Sequence, residues 1–328
     1  MTSKTFKVGT FNLFNLILPN VPYYENRRYS PEAFAKKKSW IAHQLKGMNA
    51  DIVGFQEVFQ VEALQQALDE SGLYRQAKLL APSRTRESPV VALVSRFPVI
   101  DHRVIEVFPA NAQLDVEGVV IPFNRFSRAV LSVDLALTEH LKCTVFVVHL
   151  KSKRPMIPDD VDRNDPIEKV KGQVRSLIQR AAEATALRVI LMEFLQGQAH
   201  PVILMGDIND GGLAVTSQIV SGEPPFHKMQ FERKTELWDV LLYHVKDIQA
   251  RRSYGDFYYT HIHNGHYESL DHIMVSQEFV GENPNRVGRV NYVSVFNDHL
   301  MDQTLSRDGV ELWQSDHGQV VAAIELGR

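Results

Sequence analysis

The chain has 328 residues, 44% of them hydrophobic and 23% charged, with 18 glycines and 15 prolines. This excludes disordered, collagen-like and low-complexity classes and leaves an ordinary soluble globular protein with a sizeable core. The 36 Lys and Arg against 39 Asp and Glu leave a net charge of −3, so a polyanionic substrate needs a local basic patch rather than a whole-molecule field. The single cysteine, Cys143, rules out an internal disulfide and any multi-thiolate metal site, so metal chemistry must use oxygen and imidazole ligands.

Strands and helices are expected to alternate along the whole length. A strand at 7–11 is followed by a helix at 31–48, with Ser30 as its N-cap and Pro31 at its first position. Phe34, Ile41, Leu45 and Met48 repeat there at helical spacing and predict a core-facing stripe. A strand at 52–55, a helix at 61–71 and strands at 90–94, 129–135 and 144–150 come next. A long loop spans 151–165, with Lys151, Lys153 and Arg154 ahead of Pro155, Pro158 and four aspartates. A helix from 166 to 196 carries Val170, Val174, Leu177, Ala181 and Ala184 at helical spacing, again predicting core packing. Beyond it lie a strand at 202–205, a hairpin at 258–270 turning at Asn264-Gly265, and strands at 272–275 and 319–324. Several strands are continuously apolar, as in sheets covered on both faces. Cys143 and the three tryptophans (Trp40, Trp238, Trp313) read as core or interface residues. No signal peptide and no membrane span is apparent, so a cytoplasmic location is the expectation, or a secreted one if a leader has been removed.

Polar residues recur at the ends of these strands: Asn12, Glu57, His149, Asp207 with Asn209, and Asp316-His317 just before the last strand. Strand ends present side chains to a common crevice, so residues distant in sequence can converge there. Carboxylates, amides and imidazoles are the donor set for a hard cation such as Mg²⁺ shared with a substrate phosphate. Taken singly each is ambiguous, since Asn12 suits a turn and Glu57 suits a first helical turn. Asp-His also occurs four times, at 101, 271, 298 and 316.

Order and spacing carry more. Thr-Phe-Asn12-Leu, Gly-Phe-Gln-Glu57-Val, Val-His149-Leu, Gly-Asp207-Ile-Asn209-Asp, Ser-Leu-Asp271-His-Ile and Ser-Asp316-His317 occur in one order across residues 12–317. Together they resemble the endonuclease/exonuclease/phosphatase superfamily, most closely its bacterial nuclease-like members. The resemblance implies an α/β fold, a four-layer α/β sandwich of two packed, mostly antiparallel β-sheets flanked by helices. It also implies one catalytic domain over 1–328 and a Mg²⁺-dependent phosphodiester hydrolase in which activated water attacks phosphate in line, with Mn²⁺ as a substitute ion. Glu57 would bind the metal with Asn12 and Asp316 beside it. Asp207 would activate the water, Asn209 would hold water or phosphate, and His149 and His317 would donate to phosphate oxygens. Asp271 would support one of those histidines, and which one stays open. Arg128 and Lys151 would bind the substrate.

Nucleic acid is the expected substrate class, because Tyr23, Tyr24 and Tyr29 interleave with Arg27 and Arg28 and further basic clusters stand at 84–86, 125–128, 151–154 and 251–252. The alternative is a phosphoesterase acting on a lipid headgroup, since Gln56-Glu-Val-Phe59 is similar to sphingomyelinases, or on a small phosphorylated molecule. Phe59 and Ser269-Leu270 depart from the abasic-site endonucleases, and Leu270-Asp271-His272 departs from the inositol polyphosphate phosphatases. A non-catalytic binding module would not need all of these polar residues. His261, His263, His266 and His272 read as hairpin histidines in preference to a zinc site. No protein partner is inferable.

Overall fold

A computed structural model describes residues 4–24, 26–83, 88–226, 228–251, 258–306 and 309–327. Arg84, Arg86 and Arg252, counted above among the basic clusters, lie outside the described residues. In chain order the elements begin with β1 (Lys4–Leu16), α1 (Pro31–Met48), β2 (Ile52–Val58), α2 (Val61–Ser71), β3 (Lys78–Leu80), β4 (Val90–Ser95) and β5 (Val99–Val107). A short hairpin, β6 (Asp115–Val116) and β7 (Val119–Val120), precedes β8 (Arg125–Ala136), β9 (Lys142–His149), α3 (Pro166–Leu195) and β10 (Val202–Asp207). Then come α4 (Val215–Ser221), α5 (Phe231–Asp239), β11 (Leu242–His244) and α6 (Val245–Ala250). The chain closes with the hairpin β12 (His261–His263) and β13 (His266–Glu268), followed by β14 (Asp271–Ser276), β15 (Gly288–Phe296) and β16 (Gln319–Leu326).

Two six-stranded sheets form, in the orders β15-β16-β1-β2-β4-β3 and β11-β14-β10-β9-β8-β5. Each is antiparallel except at its centre, where β1 pairs with β2 and β9 with β10 in parallel. The inner faces meet in one apolar layer, Phe6, Val8, Ile52 and Leu93 from the first sheet against Leu131, Val145, Ile203 and Ile273 from the second. α1 and α2 cover the outer face of the first sheet through Phe34, Ile41, Leu45 and Leu64. α3 covers the second through Ala184, Leu187, Ile190 and Leu191. This is the four-layer sandwich expected. Each fully buried aliphatic or phenyl side chain contributes about 1.5–3 kcal/mol, so the three apolar layers hold the two sheets in a common register. Among the described residues no helix is long and apolar enough to cross a membrane.

The start of α1 is built as its sequence predicts, with Pro31 at the first position and the Ser30 hydroxyl accepting from the Ala33 amide at 3.2 Å. α3 departs from expectation in its first half. Val170, Val174 and Leu177 are 60, 50 and 49% exposed, whereas Gly172, Ser176, Arg180 and Glu183 on the other side of the helix are buried. Periodicity marks an apolar face without saying which side is covered. Here contact with the loop after β9 and buried charge pairing decide the orientation, and only the second half of α3 joins the core.

Candidate active site

Strand register brings three of the expected residues into one row. Asp207 at the end of β10 pairs with His149 on β9 on one side and with Asp271 on β14 on the other. The row requires glycine before it, because Gly206 has φ +142° and a Cβ there would stand 2.0 Å from the Val148 carbonyl oxygen. On the facing sheet, Asn12 in β1 and Glu57 in β2 stand at irregularities in the β1–β2 and β2–β4 pairing. Phe14, Asn15 and Glu57 all take the left-handed conformation, with φ 48°, 58° and 62°. For Phe14 and Glu57 that is a strained geometry, on the order of 1–3 kcal/mol each, and it turns both chain segments into the crevice.

The crevice is a cleft of about 1000 Å³, and Glu57, Arg128, His149, Lys151, Asp207, Asn209, Asp316 and His317 all line it. Asn12 and Asp271 do not; both are fully buried behind it. The Asn12 amide donates to Asp207 Oδ2 at 3.2 Å, and its own carbonyl oxygen accepts from the Phe14 amide at 3.1 Å. Asn12, expected beside the metal, therefore sits beneath Asp207 with both ends of its side chain engaged. Asp207 Oδ1 accepts from the Asn209 backbone at 2.8 Å, while Asn209 Nδ2 donates to the Leu150 carbonyl at 3.0 Å.

The open question of the aspartate's partner is answered by His317, whose Nδ1 lies 2.7 Å from Asp271 Oδ2. Burial opposes charge on His317, but Asp271, with Asp207 and Asp316 adding to it, outweighs burial and holds the imidazole well above its ordinary value. His149 goes the other way, held well below the ordinary value by burial and by Arg128. Its Nε2, 3.4 Å from Asp207 Oδ2, is thus a neutral neighbour of that carboxylate and not an ion pair with it. Burial pushes Asp207 up to about 7, against the pull of His317.

Glu57 is raised by burial and by the adjacent Asp316 carboxylate, and its Oε2 accepts from the Asn15 amide at 2.9 Å. Lys151 is lowered to about 8 by burial and by Arg128. α3 fixes the backbone that carries these two cations: buried Glu183 accepts from the Ser127 amide at 2.8 Å and from the Lys151 amide at 2.7 Å. Arg180 adds a bond to the Lys151 carbonyl at 3.2 Å and pairs with Asp210 at 2.7 Å.

Several residues enter the site that the strand-end pattern does not single out. His261, expected as a plain hairpin histidine, donates from Nδ1 to the Asp316 carbonyl at 2.9 Å, and its ring centroid is 4.8 Å from that of His317. His263 and His266 line the same rim. Asn15, the second asparagine of Phe11-Asn-x-x-Asn15, lines the cleft with its side-chain oxygen buried and unpartnered. Buried Lys37 of α1 lies with its ammonium 5.5 Å from the Phe14 ring centroid and 5.4 Å from that of Tyr29. His299 bonds the His317 carbonyl at 3.0 Å. Of the tyrosines expected to stack on bases, Tyr23 and Tyr24 line the cleft, whereas Tyr29 is buried against Tyr23 at 5.4 Å between ring centroids. His272 is also buried, bonded to the Asp210 carbonyl.

Side chains of the His, Cys, Asp and Glu types converge within 4.8 Å in two trios among the described residues: His261, Asp316 and His317, and Asp207, Asp271 and His317. With Glu57 and Asp316 repelling each other and the Asn15 oxygen unpaired, the cleft offers hard oxygen donors that suit a divalent cation.

The fold and this strand-end cleft define a two-sheet α/β sandwich with a candidate divalent-cation site at its rim. The sequence matches the profile of the Endonuclease/Exonuclease/phosphatase family over residues 9–317, and the chain belongs to that family. Among solved structures it is similar to a humanized D. rerio TDP2 carrying 14 mutations, at 14% identity over 98% of both chains and a TM-score of 0.57. It is similar to D. rerio TDP2 complexed with single-strand DNA product, at 13% identity over 98% of both chains and a TM-score of 0.55. An endonuclease/exonuclease/phosphatase family protein from Bacteroides thetaiotaomicron matches at 12% identity over the whole of both chains, with a TM-score of 0.57. No curated protein matches the sequence significantly.

Proposed function

We propose that the protein is a Mg²⁺-dependent phosphodiester hydrolase acting on nucleic acid, a nuclease built as one catalytic domain, with Mn²⁺ able to replace Mg²⁺. The observation that carries this reading is Asp207 Oδ2, which stands 3.2 Å from the Asn12 amide, 3.4 Å from His149 Nε2 and 4.0 Å from His317 Nε2. That is a buried carboxylate held by one amide donor and approached by two imidazoles, in a cleft that Arg128 and Lys151 also line. The similarity to D. rerio TDP2 complexed with single-strand DNA product supports nucleic acid as the substrate class.

Glu57 and Asp316, with Asn15 contributing its unpaired oxygen, would hold the cation. When bound, it would neutralise a non-bridging phosphate oxygen and stabilise charge developing on the phosphoryl group. Asp207, raised towards neutrality, takes a proton from the attacking water at Oδ2. Asn12 orients that carboxylate. His317, kept as imidazolium by Asp271, donates from Nε2 to the phosphate, and neutral His149 donates from its own Nε2. Arg128 and Lys151 draw the phosphate into the cleft and Asn209 completes the wall.

A substrate panel with and without EDTA tests the reading: single-stranded DNA, RNA, plasmid, bis-nitrophenyl phosphate, nitrophenyl phosphate and sphingomyelin. EDTA-sensitive cleavage of a nucleic acid and of the synthetic diester is expected. Turnover of sphingomyelin or the monoester alone contradicts it.

A further inference from the structure

Beside the cleft lies a second cavity of about 720 Å³, which shares Arg154, Pro155 and Gln173 with it. Met156, Ile157 and Pro158 continue its apolar floor, and Arg163, Lys169 and Arg175 stand over that floor. Four cations and no carboxylate line the space. An occupant with a flat or apolar body and a negative charge matches such a wall, and a nucleotide has both, a base to lie on the floor and a phosphate to meet the cations.

The wall is built before anything binds. The Ser176 hydroxyl donates to the Arg154 carbonyl at 2.6 Å, the Met156 amide donates to the Gly172 carbonyl at 3.0 Å, and Arg175 donates to the Met156 carbonyl at 3.2 Å. A Cβ at Gly172 would stand 3.0 Å from both the Met156 oxygen and Pro155 Cβ, so any larger residue would push the loop away from α3 by a few tenths of an ångström. None of the four aspartates that follow lines the cavity; Asp159 pairs with the lining Arg163, and Asp165 caps α3.

Two cations inside the cleft are already engaged. Lys153 pairs with Glu268 at 2.7 Å and approaches Asp210 at 3.7 Å, and the Lys151 ammonium donates to the carbonyls of Ser152 and Arg154. In the neighbouring cavity Arg163 pairs with Asp159 at 2.7 Å and Arg175 with Glu168 at 3.3 Å, whereas Lys169 makes no ion pair among the described residues and is placed to meet a phosphate. We infer that the cavity between residues 154–158 and the first turns of α3 binds the nucleotide flanking the scissile phosphodiester, so that a single strand lies across both spaces. The inference rests on the nuclease reading and deepens it.

Rates on single-stranded oligonucleotides of two to six residues, each divided by the same enzyme's rate on bis-nitrophenyl phosphate, test it. In the wild-type protein this ratio should climb roughly 10-fold as the flanking nucleotide is added, the effect of about 1.4 kcal/mol of stacking and phosphate contact. In the Arg163→Glu/Lys169→Glu and Ile157→Asp variants the climb should be largely lost, with melting temperatures checked on the same preparations. Fluorescence anisotropy of a labelled hexanucleotide in EDTA gives the same comparison without turnover, with roughly 10-fold weaker binding expected for the double variant. Oligonucleotide cleavage with a flat length dependence, or with a climb that the variants keep, overturns the flanking site alone. Turnover of the small diester with no cleavage or binding of any oligonucleotide overturns the nuclease reading and the site with it.

Discussion

His317 Nδ1 and Asp271 Oδ2 are 2.7 Å apart across the start of β14 and the segment before β16, in surroundings where Asp271 is fully buried and His317 nearly so. The hydrogen bond fixes the ring so that Nε2 faces the cleft, and the carboxylate holds the imidazolium above its ordinary range. Asp271→Asn keeps the shape and removes the charge. His317 should then lose its proton at lower pH, so the alkaline limb of kcat/KM moves down the pH axis and the rate near neutrality falls on the order of 10²-fold or more. A pH–rate profile of the variant checks this; an unmoved alkaline limb would show that His317 does not act as the imidazolium.

Glu57 is held in a left-handed conformation against its own preference, and its carboxylate is crowded by that of Asp316. A cation relieves such repulsion. Glu57→Gln replaces one anionic donor by an amide of the same shape, so half-maximal activity should need far more Mg²⁺, and the saturated rate should fall by about 10²-fold or more. A Mg²⁺ titration of the initial rate measures both. An unchanged titration curve would remove Glu57 from the metal site.

Lys37 is fully buried, and burial lowers it to about 7 despite the pull of Asp316 and Glu57. Its unfolded value is near 10.4, so between pH 7 and about 10 the unfolded chain binds a proton that the folded chain does not. Stability therefore rises with pH in that window, by at most about 1.4 kcal/mol per unit, and levels off below it. Urea unfolding in EDTA from pH 7 to 9 should show the rise in the wild-type protein and a flatter line in Lys37→Met. Parallel lines would mean the ammonium is not desolvated.

Gly206→Ala should unfold the site row. A methyl group cannot occupy a point 2.0 Å from the Val148 oxygen, and φ of +142° is closed to alanine, so β9 and β10 must part. A loss of about 3 kcal/mol or more is expected in thermal melts. A near-normal melting temperature would contradict the register that joins His149 to Asp207.

Much of this was legible in the residues. The buried strands announced themselves by apolar runs, and the first helix by Ser30, Pro31 and a regular stripe, because local preference and burial agree there. Glu57, His149, Asp207, Asn209, Asp316 and His317 could be expected to meet because strand ends share an edge. Three things needed the fold. Which histidine Asp271 supports depends on how the last loop returns over β14. That Asn12 lies beneath Asp207 depends on how closely the two sheets approach. That His261 reaches the cleft depends on the path of a hairpin whose Asn-Gly turn says nothing of where it points. The stripe on α3 misled because glycine and buried charges, not valines, face the loop beneath it.

Initial-rate cleavage of a labelled single-stranded DNA, followed with Mg²⁺, with excess EDTA and with Mg²⁺ restored, measures the proposed activity most directly when wild type and Asp207→Asn are run side by side. Cleavage should occur with Mg²⁺, vanish with EDTA and return on restoration, and Asp207→Asn should be inactive throughout while melting as a folded protein. Cleavage that persists in EDTA, or a near-normal rate in Asp207→Asn, would contradict a metal-dependent attack of water activated at Asp207.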